Sequence, residues 1–135
     1  MKPHLIVGAA LVILTAACGA GYSSSEKLGY AVTQFNEGVR WGRLGEVLPR
    51  VDVKAREQFM ALHAGWGSDI QISAYEIVQT VLDDKTGKAE VTIVVSWYRV
   101  KDMEAKDTVL VQRWMEGEDS DWLLVAEEYQ SGAPF

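Results

Sequence analysis

The chain has one cysteine in 135 residues, and that cysteine, Cys18, closes the only long apolar run. A single thiol excludes an intramolecular disulfide and a multi-cysteine zinc site. Whatever follows Cys18 must therefore be held together by an apolar core and its hydrogen bonds. The run itself, Leu5 to Ala17, is 13 residues without a charge, preceded by Met-Lys-Pro-His. It is too short to span a bilayer, which takes about 20 apolar residues. A basic start, an apolar stretch and small residues at its end are the layout of an export signal.

Leu14-Thr15-Ala16-Ala17-Cys18 resembles the lipobox of bacterial lipoproteins. Small residues stand before the cysteine as that pattern requires, while Thr15 occupies the place usually taken by Leu. The resemblance implies cleavage after residue 17 and a lipid anchor of the palmitate type on Cys18. It also implies that Gly19 gives no inner-membrane retention signal. The chain is then expected in a bacterial cell envelope, on the outer membrane facing the periplasm where the cell has two membranes. Residues 18–25 (CGAGYSSS) read as the lipidated cysteine and a Gly/Ser-rich tether. Seven extended residues reach roughly 23 Å, at about 3.3 Å each.

The remaining sequence is ordinary for one globular domain, with 48% hydrophobic and 24% charged residues. Its formal net charge is −6, one unit more negative once Lys2 is removed with the signal. An acidic chain without a Lys/Arg block is repelled by phosphate backbones, so no nucleic-acid partner is expected.

Ser24 or Ser25 can cap a helix over 25–40, with Glu26 in its first turn and Leu28, Val32, Phe35 and Val39 along one face. Leu44, Val47 and Leu48 form a second helical turn that Pro49 ends. Asp52 is placed to cap a third helix, with Val53, Phe59, Met60 and Leu62 or His63 inward. From Ile70 the pattern turns to strands. The first changes alternation near Ala74, which signals a bulge. Asp83–Lys88 is a hairpin turn with Gly87 at a left-handed position. Ala89–Val100, Thr108–Met115 and Trp122–Tyr129 complete four strands joined by short turns. Helices followed by a meander give an α+β domain over 26–130. Two to three helices pack on the concave face of a curved, mostly antiparallel four-stranded sheet, and 131–135 form a loose tail.

The segments Ala31…Phe35-Asn36…Val39-Arg40-Trp41-Gly42, Leu44…Asp52 and Arg56…Phe59, with Gln112-Arg113-Trp114 and Asp121-Trp122-Leu123-Leu124, resemble nuclear-transport-factor-2-like domains. A cystatin-like arrangement is the alternative. The first resemblance implies a pocket between helices and sheet, used by relatives for isomerase, dehydratase or hydrolase chemistry or for binding alone. Fold does not choose among these.

His63 is the only histidine once residues 1–17 are gone, so a histidine pair cannot be built within one chain. Asp69, Glu76, Glu90 and Asp107 supply carboxylates, and Tyr75, Tyr98 and Arg99 hydrogen-bonding groups, but no spacing matches a known acid–base motif. No catalytic residue is assigned. Tyr75, Trp97, Trp114 and His63 are the residues expected to line a ligand pocket, since aromatic rings offer apolar area with a polar handle. The acidic turn Glu116, Glu118, Asp119 and Asp121 lacks the spacing of a calcium loop, and Thr86-Gly87-Lys88 lacks that of a phosphate loop. No cofactor or metal is expected.

These features favour a non-enzymatic, membrane-anchored lipoprotein that binds a small apolar ligand or an envelope protein. A pocket enzyme of isomerase or dehydratase type is the competing class. A structural accessory of an envelope complex, dimerising through the open sheet, is the third. What fills the space between helices and sheet discriminates among them.

Overall fold

A computed structural model describes residues 21–135. The apolar run Leu5–Ala17, expected to be an export signal, and Cys18 lie outside the described residues. The fold is α+β: three helices, linked by 3-10 turns, pack against a curved antiparallel sheet of order β1-β2-β3-β4.

Helix α1 spans Ser24–Arg40. Its N-cap is Ser23, earlier than the two serines favoured by the sequence. The reason is a capping box, in which the Ser23 hydroxyl accepts from the Glu26 amide and the Glu26 carboxylate accepts from the Ser23 amide. Only Ser23 of the three serines has a glutamate three residues on, so the helix begins at Ser24 and takes in residues expected in a flexible lead-in. Leu28, Ala31, Val32, Phe35, Asn36 and Val39 form the buried stripe.

Helix α2 (Leu44–Val47) runs directly into a 3-10 turn, Leu48–Arg50. Pro49 therefore tightens the helix and does not stop it, because a proline in the first turn loses no hydrogen bond. Asp52 caps as expected, its carboxylate accepting from Lys54 N–H at 3.0 Å. The turn it caps is another 3-10 segment, Val53–Ala55, and α3 proper is Arg56–Leu62. That tighter turn rotates the faces. Phe59 and His63 are buried, whereas Val53 and Met60, expected inward, are exposed.

The strands are β1 (Ile70–Asp83), β2 (Lys88–Arg99), β3 (Lys106–Glu116) and β4 (Trp122–Gly132). The break in β1 falls between Ile72 and Ala74, as the sequence predicts, and a second one follows between Ile77 and Gln79. Gly87 takes φ +63° in the hairpin turn. β4 runs three residues further than expected, and 131–135 are not loose. Ala133 N–H donates to Asp107 C=O, Thr108 Oγ1 donates to Ala133 C=O, and Phe135 packs on the core.

One face of the sheet carries Val91, Ile93, Val95 and Trp97 of β2, Leu110 and Trp114 of β3, and Trp122 and Leu124 of β4, all buried under the helices. Full burial of side chains this large contributes about 1.5–3 kcal/mol each. The opposite face is covered by no described element. Val94 pairs with Val109 there, and Thr92 with Val111, all half-buried.

Candidate functional site

Three of the four residues expected around a pocket are instead part of the packed interior. Trp97, Trp114 and His63 are each at most 1% exposed. They belong to a continuous file of rings. Trp114 meets Phe35 edge-on at 5.5 Å, and Phe35 meets Phe59 at 5.6 Å. Phe59 lies 4.1 Å from His63, which lies 4.2 Å from Trp66. Phe135 then wedges between Trp66, at 4.7 Å, and Trp97, at 5.0 Å. Ring pairs at these separations attract beyond their area burial. Trp97 also donates its indole N–H to Thr108 Oγ1 at 2.8 Å.

Tyr75 stands apart, half-exposed where β1 meets α1, its hydroxyl donating to Thr33 C=O at 3.5 Å. Partial burial pushes its phenol above the ordinary tyrosine range. The charge of Glu37 and its hydrogen bond add to that, and Arg40 opposes it. Arg40 itself bonds Ser73 C=O and lies over the exposed Trp41 ring at 5.0 Å.

The polar group that matters most inside is one the sequence did not single out, Glu127. Its side chain is 4% exposed, with Oε1 2.9 Å from His63 Nε2. Its Oε2 accepts from Gln112 Nε2 at 2.6 Å. Gln112 and Asn36 exchange two amide hydrogen bonds, and Asn36 also donates to Val32 C=O. The His63 Nδ1 lies 2.7 Å from Phe59 C=O, an acceptor, so Nδ1 carries its hydrogen. Nε2 is thereby left facing the carboxylate oxygen Oε1. A buried polar chain thus crosses the core from α1 through β3 and β4 to α3.

Glu127 reaches the interior because β4 has a register break. Leu124 pairs with Trp114 and Ala126 with Arg113, leaving Val125 as the extra residue. Without that bulge, alternation would turn Glu127 outward. Sequence signals for it are faint.

The voids beside this chain are small. One, lined by Asn36, Arg40, Trp66, Tyr75 and Glu127, has a volume of about 10 Å³, and a second, between Phe59, Leu62 and Glu127, is about 10 Å³ as well. That is the room for a single water. Larger spaces are open clefts on the surface. One of about 680 Å³ lies beside the N-terminal half of α1, and one of about 500 Å³ continues from it along α1 toward Arg43 and Glu46. Among the described residues no cluster of three or more His, Cys, Asp or Glu side chains is placed to hold a metal, and no helix is long and apolar enough to cross a membrane. In the acidic turn, Glu116 accepts from Ser24 and Asp121 pairs with Arg50 at 3.1 Å.

No protein-family model and no curated protein matches the sequence. Among solved structures the fold is similar to that of TraE protein in complex with 2-(2-furyl)isonicotinic acid. The TM-score is 0.53 at 10% identity, over 85% of this chain and 99% of that one. It is also similar to the intermembrane space region of the chloroplast protein ARC6, with a TM-score of 0.48 at 8% identity, over 80% and 94% of the two chains. At such identities the likeness is one of fold.

Proposed function

We propose that this chain is a bacterial envelope lipoprotein, anchored through Cys18, whose nuclear-transport-factor-2-like domain docks a partner protein near the membrane without catalysis. The lipobox-like stretch supports the anchor, and Gly19 supports an outer-membrane address in a double-membraned cell. The observation that carries the docking role is the filled space between helices and sheet. Trp97, Trp114, Phe35, Phe59 and His63 occupy it. An isomerase or dehydratase needs a substrate-sized space beside its acid–base pair, and ligand pockets run to about 300–1,000 Å³. The voids beside Glu127 are about 10 Å³. A small apolar ligand has no more room there than a substrate.

The uncovered sheet face is the surface for such a partner. Val94, Val109 and Val111 form its centre, and Glu76, Glu90, Asp107 and Glu128 outnumber Lys88 and Arg113 around it. This fits an envelope protein that presents an apolar patch with basic groups around it.

Fractionation of cells expressing the wild type and Cys18→Ser tests the anchor, since persistent membrane association of the variant overturns it. For the partner, a photo-crosslinking residue at position 94 is expected to give one discrete adduct, lost on Val109→Arg. The same probe at position 57, on α3, is expected to give none. Adducts of equal yield from both positions overturn the assignment of the surface.

A further inference from the structure

The 680 Å³ cleft beside α1 is walled by Tyr22, Glu26, Lys27 and Tyr30 of the helix and its lead-in, by Arg50, and by the turn 119–121. Its position relative to the anchor is set by the sequence. Tyr22 is four residues after Cys18, at most about 13 Å of extended chain, so an acylated Cys18 would keep this cleft within that reach of the bilayer interface. The rings of Tyr22 and Tyr30 are 78% and 64% exposed. Tyrosines with an apolar body and a polar tip are the residues that settle at headgroup level.

The charges of the cleft divide into occupied and free. Arg50 is used by the protein, donating to Asp121, to Trp122 C=O and to Gln34. Among the described residues, Glu26, Lys27 and Asp119 make no ion pair, and Glu26 accepts from the Ser23 amide. Tyr30 accepts from Gln34 Nε2 at 2.9 Å, which leaves its own hydroxyl hydrogen to donate. Asp119 and Ser120 both hold positive φ, 61° and 57°, a conformation that costs non-glycine residues free energy and fixes the turn that forms this wall. One cation, Lys27, stands with two carboxylates, Glu26 that also caps the helix and Asp119, and a hydroxyl donor, so the cleft offers both signs to a ligand.

We propose that this cleft seats the zwitterionic headgroup of a phospholipid, of the phosphoethanolamine class, in the leaflet to which Cys18 is anchored. Lys27 and the Tyr30 hydroxyl take the phosphate, and Asp119 takes the ammonium. Anionic headgroups are disfavoured by the acidic turn and by the chain's net negative charge. The inference rests on the lipoprotein reading. It adds an orientation: α1 toward the bilayer, the uncovered sheet face, on the other side of the sheet from α1, left for the partner.

Because the chain has a single cysteine, the form beginning at residue 18 can be coupled there to a maleimide lipid in phosphatidylethanolamine-containing nanodiscs bearing a nitroxide on a fraction of headgroups. This chemical tether is independent of acylation in the cell, so failure of the seat is distinguishable from failure of the anchor. Amide resonances of residues 22–30 and 119–121 are expected to lose intensity, while those of Val94 and Val109 keep theirs. Equal loss throughout, or loss centred on the sheet face, overturns the proposal. Proximity to the tether alone would also broaden residues near Tyr22. A charge-removed variant, Lys27→Gln with Asp119→Asn, is therefore measured on the same tether. Recovery of the 119–121 resonances supports the seat, and unchanged broadening overturns it. Phosphatidylglycerol in place of phosphatidylethanolamine is expected to weaken the effect; strengthening overturns the zwitterionic assignment.

Discussion

His63 Nε2 and Glu127 Oε1 face one another across 2.9 Å, at the junction of α3 and β4, with both side chains sealed from solvent. The His63 Nδ1 hydrogen is committed to Phe59 C=O, so the contact with the carboxylate is made by Nε2. Two substitutions separate its shape from its charge. In Glu127→Gln, the new amide donates to Nε2 while its oxygen still accepts from Gln112, so stability is expected to change by less than about 1 kcal/mol. In His63→Leu, Glu127 loses its partner inside the core, and removing one member of a buried pair costs about 3–5 kcal/mol. Urea unfolding of the two variants checks the ordering.

This relationship also marks how far the amino-acid order could be read. The stripe Leu28, Val32, Phe35 and Val39 and the turn residues around Gly87 predict α1 and the meander, because local periodicity and turn chemistry are short-range properties. Glu127 was invisible to that reasoning. Its inward position depends on the bulge at Val125, and its partner His63 lies on a different element. The pocket expected around Trp97 and Trp114 presumed that their rings line a space; the volumes of Phe59, Trp66 and Phe135, contributed by other segments, fill it. Val53 and Met60 were turned outward for a related reason, a 3-10 start that shifts the helical phase ahead of α3.

Phe135 should report on closure of the aromatic file. It is half-buried between Trp66 and Trp97. Phe135→Ala is expected to lower stability by about 2 kcal/mol, below the range for fully buried phenylalanines because the site is partly open. Loss of near-ultraviolet circular dichroism with retained far-ultraviolet signal would accompany it.

Gly38 is needed for the contact between α1 and α2. A Cβ built there would stand 2.2 Å from Val47 Cγ1. Helix propensity alone favours Gly38→Ala by about 1 kcal/mol. Val47 is stiff at χ1 and cannot swing away, so net destabilisation of about 1–2 kcal/mol is expected from overpacking. Adding Val47→Ala to Gly38→Ala should cost less than the separate effects imply, and a double-mutant cycle measures that coupling.

Stability is expected to decline at both ends of the pH range. Glu26 is held below the ordinary carboxylate range chiefly by the Ser23 amide, Asp83 chiefly by Thr86 and Asp102 chiefly by the Glu104 amide. Each depressed carboxyl contributes stability that is present above its unfolded value, about 4, and lost as pH falls through the folded one. Tyr75 works in the opposite sense. Burial raises its phenol, so its contribution is present below about pH 10 and lost above it. Thermal unfolding across pH checks the acid limb. A Tyr75→Phe difference titration followed by ultraviolet absorbance should reveal a phenol that ionises above the ordinary tyrosine range.

The file of rings from Trp114 to Trp97 has an optical consequence. Trp66, Trp97, Trp114 and Trp122 are all buried, while Trp41 is 63% exposed at the far end of α1. Intrinsic emission therefore has two sources, a blue-shifted interior set and one red-shifted surface indole. Trp41→Phe removes the second without touching the first. Unfolding then shifts the remaining band to the red, whereas events confined to the surface of the intact domain leave it in place. The chain carries its own means of telling those two apart, with no dye attached.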